Sequence, residues 1–133
     1  MSDITEEVLA KVFFDDGSLR DIFVKKTNKD DWTTLWDFVK SLIKRTLSID
    51  GEETDDIPDD VASIFKARKD KSIYISIDYK DVAFVCHFFC IEEIEFDVSP
   101  RQINNLSEAK AVFEFMERLA NLLRKDVCDR QVE

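Results

Sequence analysis

In residues 73–98 an apolar side chain recurs at almost every second position. The segment "SIYISIDYK" alternates three isoleucines with more polar residues, and the next segment, "DVAFVCHFFCIEEIEFDV", continues the same period from Val82 onward. A period of two is typical of a β-strand with one buried face, whereas an amphipathic helix has a period of 3.6. The sequence therefore predicts a β-hairpin that turns at Lys80 and Asp81.

The second strand of this hairpin, residues 82–98, is too long for one flat strand, and we expect a bend or bulge near Glu92. One face is apolar except at Glu92: Val82, Phe84, Cys86, Phe88, Cys90, Ile94, Phe96 and Val98. The other face starts apolar and ends acidic: Ala83, Val85, His87, Phe89, Ile91, Glu93, Glu95 and Asp97. We interpret the second face as a partner-binding surface, with Phe89 and Ile91 as apolar anchors and the three carboxylates as charges. An ordinary solvated strand edge is the alternative.

Two further regions predict helices. Apolar residues recur at three- and four-residue steps after Asn28, a possible N-cap: Trp32, Leu35, Trp36, Val39, Leu42, Ile43 and Leu47. A second such pattern runs from Ala109 to Leu123, behind a capping-box spacing of Asn105 and Glu108, and should end near Lys125. A short helix is expected after Pro58, and a charged, frayed tail after about residue 126.

The first strands are predicted as a hairpin of residues 8–14 and 19–26 around "DDGS", because Asp16 and Gly17 suit a tight turn. The 133 residues fit one domain, residues 1–133, and with 44% hydrophobic residues the chain can bury a core. We predict an α+β fold in the order ββααββα, with an antiparallel sheet of two hairpins and helices packed on one face.

Charge indicates the class of partner. The formal net charge of −10 repels phosphate backbones and attracts basic surfaces, so we expect no direct nucleic-acid binding and a basic protein partner. Residues 50–60, "DGEETDDIPDD", lack any basic residue and should form a solvated loop, in which we predict a second acidic binding element: Asp55, Asp56, Asp59 and Asp60. The loop does not match the D-x-[DN]-x-[DN]-G pattern of a calcium site.

Catalytic, metal and cofactor sites are not predicted. Cys86, His87 and Cys90 carry ligand atoms, but on one strand the two thiols would lie about 13 Å apart and His87 would face away. A single histidine without a G-x-S-x-G motif also disfavours hydrolase chemistry, so we expect a protein that is not an enzyme. The acidic N-terminal segment, the lack of a long apolar run and the odd number of cysteines favour a cytoplasmic protein without membrane contact.

The segments "FFDDGSLRDIFV", "DDWTTLWDFV", "YISIDYKDVAFVCHFF" and "AVFEFMERLANLLRK" together cover most of the chain. In these segments the sequence resembles the small acidic immunity proteins of bacterial polymorphic toxin and contact-dependent growth inhibition systems. The resemblance implies a cytoplasmic protein that binds and neutralises one cognate toxin domain, often a basic nuclease, by occluding its active or substrate-binding surface. An acidic adaptor or a DNA-mimicking inhibitor of a nucleic-acid enzyme is the alternative function.

Overall fold

The computed structural model describes residues 19–99, 103 and 105–132. In this part of the chain, the strands and helices follow in the order β1 (Leu19–Lys25), α1 (Lys29–Ser41), β2 (Arg45–Ile49), β3 (Glu52–Thr54), α2 (Ala62–Ala67), β4 (Ile73–Tyr79), β5 (Val82–Cys90), β6 (Glu93–Val98), α3 (Leu106–Leu123) and β7 (Cys128–Val132). The predicted α+β class is confirmed, but the order ββααββα is wrong. The first strand of the predicted N-terminal hairpin, residues 8–14, lies outside the described residues.

The described strands form one sheet in the order β3-β2-β4-β5-β6-β1-β7, and every neighbouring pair is antiparallel. The predicted hairpin of β4 and β5 is confirmed, with Ile75 opposite Cys86 and Ile77 opposite Phe84. Its turn residues Lys80 and Asp81 both have positive φ, 51° and 68°, as a two-residue turn that follows the sheet twist requires.

The hydrophobic core lies between α1, α3 and the face of the sheet that carries Phe84, Phe88 and Phe96. From α1, Trp32 contacts Phe88 at 5.7 Å between ring centroids. From α3, Phe115 stacks on Phe84 at 4.1 Å and meets Phe96 edge-on at 5.1 Å. Both helices therefore pack on the same face of the central strands.

The interruption expected near Glu92 is present, but it is a full reversal at Ile91 and Glu92, so residues 82–98 form the β5–β6 hairpin and not one bent strand. A β-bulge lies between His87 and Cys90, directly before the turn. The turn leaves Glu92 exposed, so that no carboxylate has to enter the core at this position. Most residues nevertheless lie on the face predicted for them, because the apolar face from Val82 to Val98 is buried except at Cys90 and Glu92.

The first helix is shorter than predicted. The predicted N-cap Asn28 is confirmed and forms a capping box with Asp31, with Asn28 Oδ1 accepting from Asp31 N at 2.9 Å. The helix ends at Ser41, however, and Leu47 belongs to β2, where it lies opposite Ile75. Ile43, which the helical pattern placed in the core, is 94% exposed. Pairing with β4 has overridden the helical period of these residues.

The helix predicted after Pro58 is found as α2, and Asn105 caps α3 by accepting from Glu108 N at 2.8 Å. Residues 128–132, for which a frayed tail is predicted, form β7 instead and pair with β1. This pairing gives the backbone of β1 a hydrogen-bonding neighbour on both sides. No helix in the described ranges has the length and apolar character needed to cross a membrane.

Candidate binding face of the sheet

The sheet has a second face, opposite to the one covered by α1 and α3, which we call the open face. Its described side chains come mainly from the four strands β4, β5, β6 and β1: Tyr74, Ser76, Asp78, Ala83, Val85, His87, Phe89, Glu93, Glu95, Asp97, Asp21, Phe23 and Lys25, the last opposite Glu93. On β4 and β5 this face is partly accessible, since Tyr74 is 38% and Phe89 57% exposed. At Asp21 on β1 it is closed, because this side chain is only 2% exposed, whereas Lys25 at the end of the strand is exposed.

His87 lies at the centre of the open face. Its Nε2 is 2.6 Å from Asp97 Oδ2, across the β5–β6 hairpin. This hydrogen bond raises the pKa of His87, with burial acting in the opposite direction and the negative charges of Asp97, Glu95 and Asp21 adding to the increase. The Phe89 ring stacks on the imidazole, with the two ring planes 6° apart and their centroids 4.9 Å apart. His87 therefore connects the carboxylates to an exposed aromatic ring.

Glu95 lies opposite His87 in the strand register and has the most perturbed carboxyl group of the open face. Burial, a hydrogen bond with Asp21 and the negative charges of Asp21, Asp97 and Glu93 raise its pKa to about 7. At neutral pH, Glu95 is consequently protonated in a large fraction of the molecules. Two carboxyl groups that share a hydrogen bond in this way require one proton between them.

A histidine held by an aspartate could serve as a general base, because the same pair orients the imidazole in catalytic triads. Within residues 19–99, 103 and 105–132, however, no serine, threonine or cysteine side chain is hydrogen-bonded to the imidazole. Nor does this part of the chain contain a group of three or more His, Cys, Asp or Glu side chains arranged to hold a metal ion. The exposed aromatic ring beside several carboxyl groups favours protein binding.

The structure brings together four of the predicted binding residues, Phe89, Glu93, Glu95 and Asp97. Ile91 lies elsewhere, in the β5–β6 turn, where its side chain lines a cavity on the helical side of the sheet. The bulge and the turn interrupt the alternation of side chains between Phe89 and Ile91, so two residues that are two positions apart no longer share a face here. The prediction that Ile91 lies on the same face as Phe89 is therefore wrong.

The predicted acidic loop element does not form one cluster. Asp55 lines a depression at the far end of the open face, together with Ser76 and Ala83. Asp59 and Asp60 line the cavity on the helical side, and Asp60 Oδ1 accepts from Ser63 N at 2.9 Å at the start of α2. Asp56 lines neither space and donates its backbone N–H to Thr54 Oγ1.

The pattern of the sequence did not identify His87 and Tyr74 as site residues. His87 was placed on the acidic face of a single strand, where it could not meet Asp97, ten residues further on. A turn signal at Glu92 would have placed the two residues across a hairpin.

Comparisons of the chain with protein-family models, with curated proteins and with solved structures found no match, so the function has to be inferred from the site itself.

Proposed function

We propose that this chain is an immunity protein that binds a cognate bacterial toxin domain through the open face and neutralises it by occlusion. The observation that carries the proposal is the exposed Phe89 ring, stacked on His87 and bordered by the carboxyl groups of β6. Binding hot spots are typically aromatic side chains surrounded by groups that exclude water. The ring would be the apolar anchor, and its stacking on a hydrogen-bonded imidazole reduces the side-chain entropy lost on binding.

The carboxyl groups indicate the charge of the partner. Glu93 and Asp97 lie on the open face on either side of Glu95, in a chain with a formal net charge of −10. A basic nuclease domain exposes Lys and Arg side chains that bind substrate phosphates, and these carboxylates could pair with the same side chains. Steering by opposite charges also accelerates the encounter of two proteins. The proposed protein acts by covering a surface and needs no catalytic residue.

The alternative is an acidic adaptor or a DNA-mimicking inhibitor of a nucleic-acid enzyme. The feature in its favour is the row of carboxylates at alternate positions of β6, since a regular row of negative charges is also what a nucleic-acid backbone presents. Both functions use the same face and the same charge. They differ in whether the partner is a toxin encoded beside this chain.

Co-expression with the neighbouring toxin domain tests the proposal, with cell growth and calorimetric binding as the measurements. Phe89→Ala and the triple variant Glu93→Gln, Glu95→Gln, Asp97→Asn should each weaken binding by about tenfold or more and reduce protection. The matched control removes three exposed carboxylates outside the open face: Asp30→Asn, Asp70→Asn and Glu117→Gln. It should protect like the natural chain.

Salt concentration separates the two contributions. Binding of the natural chain should weaken as salt rises, whereas the remaining binding of the triple variant should depend less on salt. Full protection by the triple variant, with affinity equal to that of the natural chain at raised salt, would contradict the assignment of this surface. A partner that is a nucleic-acid enzyme without toxic activity would favour the alternative.

A further inference from the structure

A cavity of about 440 Å³ lies between α1, α2 and the β5–β6 turn, and its volume is typical of a small-ligand site. Its apolar lining includes Trp32, Trp36, Phe65 and Ile91. Both indole N–H groups already donate to backbone carbonyls, Trp32 to Ile91 at 2.9 Å and Trp36 to Pro58 at 2.8 Å. The indoles therefore offer a ligand apolar surface but no hydrogen bond.

The two helices that border the cavity run in opposite directions. Near the end of α1, Lys40 Nζ donates to Asp59 O at 2.9 Å, on the chain that enters α2. Nearer the start of α1, Trp32 contacts Phe65 within α2 at 4.9 Å between ring centroids. Lysines consequently line one end of the cavity and carboxylates the other: Lys29, Lys66 and Lys69 against Asp37, Asp59 and Asp60.

No described residue neutralises the positive end of the cavity. None of its three lysines forms a salt bridge with a described residue. At the negative end, Asp37 Oδ1 is 3.4 Å from Lys40 Nζ, and Asp60 accepts a backbone hydrogen bond, but no ion pair is formed by Asp59 with the described part of the chain. The cavity therefore has an apolar middle and two ends of opposite charge.

We infer that this cavity binds a free apolar oligopeptide of three or four residues, with its terminal ammonium group at the aspartates and its carboxylate at the lysines. The length follows from α1, because the eight residue steps from Lys29 to Asp37 correspond to about 12 Å of helix. An extended peptide advances about 3.3 to 3.6 Å per residue, so three or four residues place the two termini at the two charged ends. The site lies on the other side of the sheet from the open face and does not depend on the proposed function.

Intrinsic fluorescence can detect this binding, because the two tryptophans of the chain both line the cavity. The probe is trileucine in four forms: with free termini, N-acetylated, C-amidated and blocked at both ends. The peptide with free termini should change the fluorescence saturably and bind at least about threefold more tightly than either singly blocked form, as expected for solvent-accessible ion pairs. The doubly blocked form should bind most weakly.

Charge variants test the direction of the peptide. Lys66→Gln with Lys69→Gln leaves only Lys29 at the positive end, so it should weaken the preference for a free carboxylate and keep the preference for a free ammonium group. Asp37→Asn with Asp59→Asn should have the opposite effect.

The matched control, Arg68→Gln with Lys71→Gln, removes the same charge from the same segment, at two residues that do not line the cavity. This variant should keep both preferences. The inference is overturned if no form of the peptide gives a saturable signal at millimolar concentration. It is also overturned if the blocked forms bind as tightly as the free form, or if each pair of substitutions affects the wrong terminus.

Discussion

Glu95→Gln should stabilise the protein at neutral and basic pH, although it removes a charged group from the surface of a natural chain. Burial and the carboxyl groups of Asp21, Asp97 and Glu93 raise the pKa of Glu95 from 4.5 to about 7 in the folded state. A glutamine amide has nearly the shape of the protonated carboxyl group and can donate to Asp21 in its place. The variant therefore keeps the hydrogen bond at every pH and loses the cost of ionisation.

The sign follows from proton binding in the two states. Below about pH 4.5, Glu95 is protonated in both the folded and the unfolded chain, and its contribution to stability is fully present. As the pH rises toward about 7, the unfolded chain loses this proton while the folded chain keeps it, so the natural protein is progressively destabilised. His87, whose pKa is also raised, loses its contribution in the same direction as the pH rises, but it does so in both proteins.

The pKa difference corresponds to about 3 to 4 kcal/mol at most. Because the Glu95 carboxyl group is partly accessible to water, which screens its interactions, we expect the variant to gain about 1 to 2 kcal/mol at pH 8 and almost nothing at pH 4.5. Urea denaturation across this pH range, followed by tryptophan fluorescence, measures the free energy of unfolding of both proteins.

Glu93→Gln is the matched control on the same face of β6, since it removes a carboxylate whose charge is only the smallest of the causes that raise the Glu95 pKa. It should change the stability by less than about 0.5 kcal/mol, as surface substitutions usually do. A stability gain of Glu95→Gln that is equal at pH 4.5 and pH 8, or a loss at pH 8, would refute the reasoning about the Asp21–Glu95 pair.

Three further predictions concern packing, capping and thiol reactivity. Phe115→Ala should cost about 3 to 5 kcal/mol in urea denaturation, because Phe115 is fully buried among aromatic rings, whereas Phe89→Ala should cost little; equal losses would contradict the assigned core. Asn28→Ala should cost about 1 kcal/mol by the same measurement, and no loss would mean that the capping box contributes nothing. Cys128 should react with a thiol reagent in the folded protein, while Cys86, whose pKa is raised by burial, should react only on unfolding; rapid labelling of Cys86 at folded-state conditions would contradict its burial.

The parts of the fold that could be predicted are those in which local pattern and tertiary structure agree. The alternation of Ile73, Ile75 and Ile77 and the capping signals at Asn28 and Asn105 have local physical causes, and the structure contains each of them. Leu47 shows the opposite case, since its helical spacing from Trp36 was overridden by pairing with Ile75, which is distant in sequence. β7 could not be predicted for the same reason, because its only sign is a partner strand that lies about 105 positions earlier.

For the candidate site, the acidic face was predictable but its geometry was not. The alternation of side chains along a strand placed Glu93, Glu95 and Asp97 on one face. A turn before β6 does not change which of its residues share a face. This alternation cannot show that His87 contacts Asp97, because the contact requires a turn between them. The turn sequence "IEE" contains no Gly, Pro, Asn or Asp, the residues that usually indicate a turn.

The β5–β6 turn is attached to the start of the helical layer through two backbone oxygens, those of Ile91 and Glu92, and Glu92 O accepts from Thr27 N at 3.0 Å. Trp32 Nε1 and Thr27 Oγ1 both donate to Ile91 O, at 2.9 and 2.6 Å. Because every amino acid carries this carbonyl group, the attachment is encoded by Thr27 and Trp32 and not by the side chain at position 91. Position 91 can therefore vary during evolution, altering the wall of the cavity, while the hairpin that carries the open face stays anchored.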